Sequence, residues 1–207
     1  MNKYQNKYRA QSHRMPHWDY SENGYYFITM VTQNRACNLG HIIDNKMVLS
    51  DFGNIVKTQW VKSFEIRDEL TPDTFIIMPN HIHAIVVLKK NNKIQNDPNE
   101  TDGVVETHGR AFQRRAFQRP FIRKPRSISS FIAGFKSAVN SKIDDYIDEH
   151  KLDIPKYNRH NHFFQPNYYD HVIRNDQEYK RVSEYIINNP KNWLKDKIYE
   201  HNKRKHL

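Results

Sequence analysis

The sequence predicts an α+β protein built around one domain. Three observations carry this. Two segments, 24–33 and 73–89, are rich in aromatic and β-branched residues and read as strands. Others, around 51–64 and 127–146, repeat apolar residues at helical spacing. The chain has 207 residues, enough for one domain with extensions and cramped for two.

Residues 1–20 are polar, basic and without periodicity, the pattern of a flexible arm. GYYFITMVTQ, from Gly24 to Gln33, is the first strand. In HIIDNKMVLS, Asp44-Asn45 separates two short apolar runs and predicts a small hairpin. Ser50 then caps a helix through Phe64, whose Phe52, Ile55, Val56 and Trp60 form one apolar face. DTFIIMPNHIHAIVVLK holds two apolar runs on either side of Pro79-Asn80. Because alternate side chains of a strand share a face, His81 and His83 point one way, and Ile82 and Ala84 the other. Ile85 to Leu88 are apolar on both faces, as in a central strand.

An insertion at 90–126 has no periodic pattern, the mark of a functional or disordered loop. Its second half carries Arg110, Arg114, Arg115, Arg119, Arg123, Lys124 and Arg126 without an acid, and repeats RAFQR at 110–114 and 115–119. Ser127 opens the clearest helix, with a stripe of Ile128, Phe131, Ile132, Phe135, Ala138, Val139, Ile143 and Tyr146. Asn175 or Asp176 caps a last helix that runs through Asn189 and is stopped by Pro190. The domain thus spans 21–190, followed by a loosely held basic tail at 191–207.

Composition narrows the function. Thirty-three Lys and Arg against 23 Asp and Glu give a net charge of +10, which points to a polyanionic partner. The hydrophobic fraction of 37% is low, but 3 Trp, 12 Tyr and 11 Phe are too many for a disordered chain. The single Cys37 excludes an internal disulfide and a cysteine-built zinc site. No stretch has the roughly 18 apolar residues of a membrane span, and the N-terminus lacks the apolar core of a secretory signal. The expectation is a cytoplasmic protein with no membrane partner.

Two constellations can carry chemistry. Imidazoles at i and i+2 of a strand project side by side and can chelate one divalent cation, with a third ligand supplied from elsewhere in the fold. The same spacing also arises by chance among 12 histidines. In RVSEYIINNP, from Arg181 to Pro190, Tyr185 and Asn189 lie one turn apart on a helical face. A phenol can attack a phosphate and an amide oxygen can ligate a metal, although an ordinary surface tyrosine and an ordinary helix end look the same.

Taken in order, YYFITMVTQNR with the following Gly40, IIMPNHIHAIVV, SISSFIAGFKS and FQPNYYDHVIRNDQEYKRVSEYIINNP resemble the HUH single-tyrosine transposases, within them the REP-associated tyrosine transposase group, over roughly residues 20–195. The resemblance implies a ferredoxin-like antiparallel sheet with helices packed on one face. It implies His81 and His83 as metal ligands, Asn189 as the third ligand, Tyr185 as nucleophile, and Mg²⁺ or Mn²⁺ as cofactor. It further implies cleavage and rejoining of single-stranded, hairpin-bearing repeat DNA through a 5′-phosphotyrosine, and leaves monomer and homodimer both open. The seven basic residues at 110–126 are the expected DNA contacts, with Phe112, Phe117 and Phe121 as stacking surfaces. One rival is a hairpin-binding protein without turnover. A small-nucleotide hydrolase would need a third alternating histidine, and residue 85 is Ile.

Overall fold

The computed structural model describes residues 18–90, 125–158, 160–196 and 198, together with the backbone of two short paired strands, Lys3–Tyr4 (β1) and Lys7–Tyr8 (β2). Gly24–Val31 (β3) is followed by a hairpin of Gly40–Ile43 (β4) and Lys46–Leu49 (β5), the helix Asp51–Glu65 (α1), and the strands Leu70–Met78 (β6) and His81–Leu88 (β7). The helix Ile128–Glu149 (α2), the strand Tyr169–Ile173 (β8) and the helix Asp176–Asn188 (α3) complete the order.

Local chemistry sets the boundaries. Asp44 and Asn45 both take positive φ, 48° and 60°, the pair of left-handed residues that a two-residue hairpin turn requires. The Ser50 hydroxyl accepts from the Gly53 N–H at 3.1 Å, and the Asn175 carbonyl oxygen accepts from that of Glu178 at 2.8 Å. Ser127 and Ser130 close a reciprocal capping box at the start of α2. Each of these side chains satisfies an N–H that the first turn of its helix leaves without a partner.

The four long strands form one antiparallel sheet in the order β6-β7-β3-β8. Helix α1 links β3 to β6 with β7 between them, and α2 links β7 to β8 with β3 between them. This is the split βαβ arrangement of ferredoxin-like folds. The strand period of two decides what each face meets. Tyr26, Ile28 and Met30 of β3 with Ile82, Ala84 and Val86 of β7 are buried against α1 and α2. There Trp60 is ringed by Phe64, Phe75, Phe131 and Phe135, with ring centroids 5.1, 5.7, 5.5 and 5.4 Å away. The expectation of helices on one face describes this pair. Helix α3 lies on the other face, where Val182 and Ile186 pack with Ile85, Ile173 and Phe27. A central strand apolar on both sides needs such a cover.

Both ends of the domain hold more structure than their polarity suggests. At the end of the segment read as an arm, the Trp18 indole donates to the Tyr26 hydroxyl at 3.2 Å, and Tyr20 is buried in the core. Pro190–Lys195, in the segment read as a loose tail, is a 3-10 turn whose Trp193 is buried. Most of the basic insertion, 91–124, lies outside the described residues. No described helix is long and apolar enough to cross a membrane.

Candidate active site

Strand β7 delivers His81 and His83 to the face that α3 covers, and both are buried. Their rings lie 4.4 Å apart. The pairing of β3 with β7 sets Thr29 opposite His83, and its Oγ1 is 2.8 Å from His83 Nδ1. His81 Nδ1 is 2.7 Å from Asn80 Oδ1. The Asn80 amide nitrogen donates to the Arg35 carbonyl at 3.2 Å, which fixes its oxygen as the acceptor toward His81. His81 therefore carries its proton on Nδ1 and aims the Nε2 lone pair into the site. His83 meets a hydroxyl at each ring nitrogen: Nε2 is 3.1 Å from that of Tyr185 and Nδ1 is 2.8 Å from that of Thr29.

Helix α3 brings Tyr185 and Asn189 together one turn apart. The Tyr185 ring sits 5.1 Å from that of His83 and 6.2 Å edge-on to Phe27, and its outer edge is exposed. Asn189, at the C-cap, is buried. Past Pro190, the 3-10 turn lays the Trp193 ring 6.1 Å from His81 and carries Asp196 Oδ2 to 4.0 Å from His81 Nε2. Two other tyrosines of this region are engaged elsewhere: the Tyr179 hydroxyl donates to both Asp73 oxygens, at 2.9 and 3.1 Å, and that of Tyr168 meets Ser129 Oγ at 3.1 Å.

Burial holds both imidazoles neutral. His81 is lowered to about 4, first by burial and then by the Arg35 charge, against the opposing Asp196 carboxylate and Asn189 amide. His83 is held well below its ordinary value by burial and then by His81. Neutral imidazole is the ligand form. The Tyr185 phenol is pushed up by burial and then by Asp196, against the opposing Asn189 amide.

His81, His83 and Asp196 can hold a metal ion: one donor atom from each lies within 4.8 Å of the others. Two further observations fit a cation. His81 Nε2 and Asn189 Oδ1 are buried without a hydrogen-bond partner, a condition that costs about 1–3 kcal/mol per group. The 4.0 Å between His81 Nε2 and Asp196 Oδ2 is too long for a hydrogen bond and close to twice a metal–ligand distance of about 2.1 Å.

No family model matches the chain. A Haemophilus influenzae protein described only as uncharacterized is 34% identical over 204 residues, which cover 93% of this chain and 97% of that one. The chain belongs to the family of this Haemophilus protein. Among solved structures, a REP-associated tyrosine transposase bound to a REP hairpin superposes with a TM-score of 0.50 at 17% identity, over 87% of this chain and 73% of that one. A Deinococcus radiodurans R1 protein described as a putative transposase covers 84% of this chain and 95% of its own at 14% identity, with a TM-score of 0.37. This family member thus has the α+β fold of the REP-associated transposase.

The fold gathers His81, His83, Tyr185 and Asn189 into one site. Of the seven basic residues at 110–126, only Arg126 is described; it is exposed, with φ 47°, just before the Ser127 cap. Arg110, Arg114, Arg115, Arg119, Arg123 and Lys124 lie outside the described residues. Sequence reasoning passed over Thr29, Asn80, Trp193 and Asp196. Asn80 alone left a trace, as the residue of the turn that adjoins His81.

Proposed function

We propose that this chain is a metal-dependent DNA strand transferase that cleaves and rejoins single-stranded, hairpin-bearing repeat DNA through a 5′-phosphotyrosine. One observation carries the reading: the half-exposed Tyr185 places its hydroxyl 3.1 Å from His83 Nε2, at a site that also holds two buried, partnerless donor atoms, His81 Nε2 and Asn189 Oδ1. A tyrosine beside a chelating histidine pair is the arrangement that nucleophilic attack on a phosphodiester needs. The transposase-like fold, the net charge of +10 and the hairpin held by the REP-associated relative support DNA as the substrate.

In this reading His81, His83 and Asn189 would hold Mg²⁺ or Mn²⁺, and Asp196 would add an anionic oxygen. The cation supplies charge neutralisation at the non-bridging phosphate oxygens and lowers the cost of a phenolate nearby. The protein's own groups do the rest. Asn80 pins the Nδ1 proton of His81, so its Nε2 lone pair faces inward, and Thr29 holds the Nδ1 edge of His83 so that its Nε2 faces Tyr185. His83 Nε2 can serve either a cation or the Tyr185 hydroxyl, so a cation held there would leave that hydroxyl free for attack. Tyr185 Oη then forms the bond to phosphorus, the bond from phosphorus to the 3′ oxygen breaks, and the phenol proton ends on that oxygen. The 3′-OH product reverses the same steps when it rejoins.

The test is incubation of the protein with labelled hairpin DNA and Mn²⁺, followed by denaturing electrophoresis. A covalent protein–DNA adduct is expected from the native chain and from Tyr179→Phe, and none from Tyr185→Phe. An adduct of normal yield from Tyr185→Phe refutes the assignment. Native protein that binds the hairpin without forming an adduct favours the rival without turnover.

A further inference from the structure

Helix α3 packs on Ile85 and Ile173 but leaves Tyr169, at the start of β8 on the same sheet face, exposed. The floor here is aromatic. Tyr169 and His171 alternate along β8, paired with Thr29 and Phe27 of β3, so all four face the same way. Tyr169 is 41% exposed and stands edge-on to Phe27 at 6.1 Å, and Phe27 in turn meets Tyr185 at 6.2 Å. The wall is the flank of α3 on which Glu178, Arg181 and Tyr185 recur at spacings of three and four. Toward the start of α3, His171, Glu178 and Arg181 also line a cleft of about 450 Å³ together with Arg174, Asn175 and Gln177.

The charges of the cleft suit an anion despite Glu178. Its carboxylate is already occupied: it accepts from His171 Nε2 at 2.7 Å and from the Arg174 N–H at 3.0 Å, and these bonds hold it below the usual carboxylate range. Arg181 approaches Glu178 through one nitrogen, at 3.7 Å, with its side chain 74% exposed. A guanidinium has five N–H donors, so most remain available.

We propose that the surface between Tyr169 and Arg181, at the mouth of this cleft, holds an unpaired nucleotide of the DNA strand beside the scissile phosphate, with its base stacked on Tyr169 and a phosphate on Arg181. The proposal rests on the strand-transferase reading only for DNA as the ligand and for Tyr185 as the mark of the scissile position. An exposed ring in continuous aromatic contact with the nucleophile is a stacking surface that tolerates any base. Arg181, four residues before Tyr185, stands about 6 Å along the helix from it, within reach of the same strand. Tyr169 and Arg181 are thus positioning residues that hold the strand while Tyr185 acts on it.

The experiment measures binding rather than cleavage. A fluorescent hairpin carrying oligothymidine flanks is titrated with the full chain in EDTA, alongside the same hairpin with an abasic site walked through each flank. Tyr169→Leu should weaken binding of the intact hairpin about tenfold, and Tyr169→Phe, which keeps the ring, should bind like the native chain. At one abasic position the native protein should lose the same factor, and Tyr169→Leu should lose nothing more. Arg181→Gln should lower the slope of log affinity against log salt by about 0.7. Native affinity in Tyr169→Leu, or equal additional loss at every abasic position, overturns the proposal. Because the assay needs neither metal nor Tyr185 chemistry, it can succeed where no adduct ever forms, and fail where adducts form normally.

Discussion

The two buried imidazoles make the metal-free protein acid-sensitive, and the size of the effect follows from His81. Its value of about 4 compares with 6.5 for an exposed histidine. Between those values the unfolded chain binds a proton that the folded chain refuses, so unfolding becomes more favourable as pH falls. Above about 6.5 the residue is neutral in both states and costs nothing. By pH 4 the penalty is about 3 kcal/mol, at about 1.4 kcal/mol per pH unit. His81 is fully buried, so solvent screening does not reduce it. His83 is lowered as well and adds to the loss in the same direction. The assay is urea unfolding in EDTA at a series of pH values from 7.5 to 4.5 for the native chain and for His81→Gln, which cannot titrate. The native stability should fall toward that of the variant, at up to about 1.4 kcal/mol per pH unit below 6.5. Curves that stay parallel through this range refute the picture of a neutral, desolvated His81.

Other consequences are sharper at the bench. His81→Ala and His83→Ala should each lose cleavage, with excess Mn²⁺ restoring little, and EDTA should silence the native protein; cleavage that persists in EDTA refutes a metal mechanism. Asp196→Asn should weaken Mn²⁺ affinity tenfold or more by calorimetry, because a neutral amide replaces an anionic donor beside His81, and an unchanged affinity would remove Asp196 from the ligand set. Replacing Arg114, Arg115, Arg119 and Arg123 with Ser should lower the salt slope of hairpin binding by about two to three if the segment touches three or four phosphates; an unchanged slope would make it a solvated linker.

What the sequence made legible lies within single elements. A period of two put His81 and His83 on one face, a spacing of four put Tyr185 and Asn189 on another, and Ser50, Ser127 and Asn175 marked the helix starts that the structure has. The Asp44-Asn45 turn belongs to the same class, since it depends only on which residues tolerate positive φ. Contacts between elements left no such signature. Thr29 reaches His83 only because β3 and β7 pair in a register that sets them opposite, and a slip of one residue would turn Thr29 to the other face. Asp196 reaches His81 only because Trp193 is buried and draws the chain back after Pro190, in a segment whose basic composition suggests solvent.

The properties that make these histidines usable come from those unreadable contacts. The spacing of His81 and His83 says that two imidazoles are adjacent, but an imidazole binds a cation only when neutral and with a lone pair turned toward it. Neutrality comes from burial beneath α3 and the Trp193 turn. The direction of the His81 lone pair comes from Asn80, itself held by the Arg35 carbonyl, and Thr29 holds the orientation of the His83 ring. The same packing withholds water from His81 Nε2 and Asn189 Oδ1 and leaves both without a partner. A pocket that keeps two such atoms unsatisfied gives up stability in the metal-free protein that a bound cation would return, so ligation and folding are linked. Mn²⁺ should therefore raise the unfolding temperature of the native chain more than that of Asn189→Leu, in which one of the orphaned atoms is gone. An equal rise in both would place the cation elsewhere.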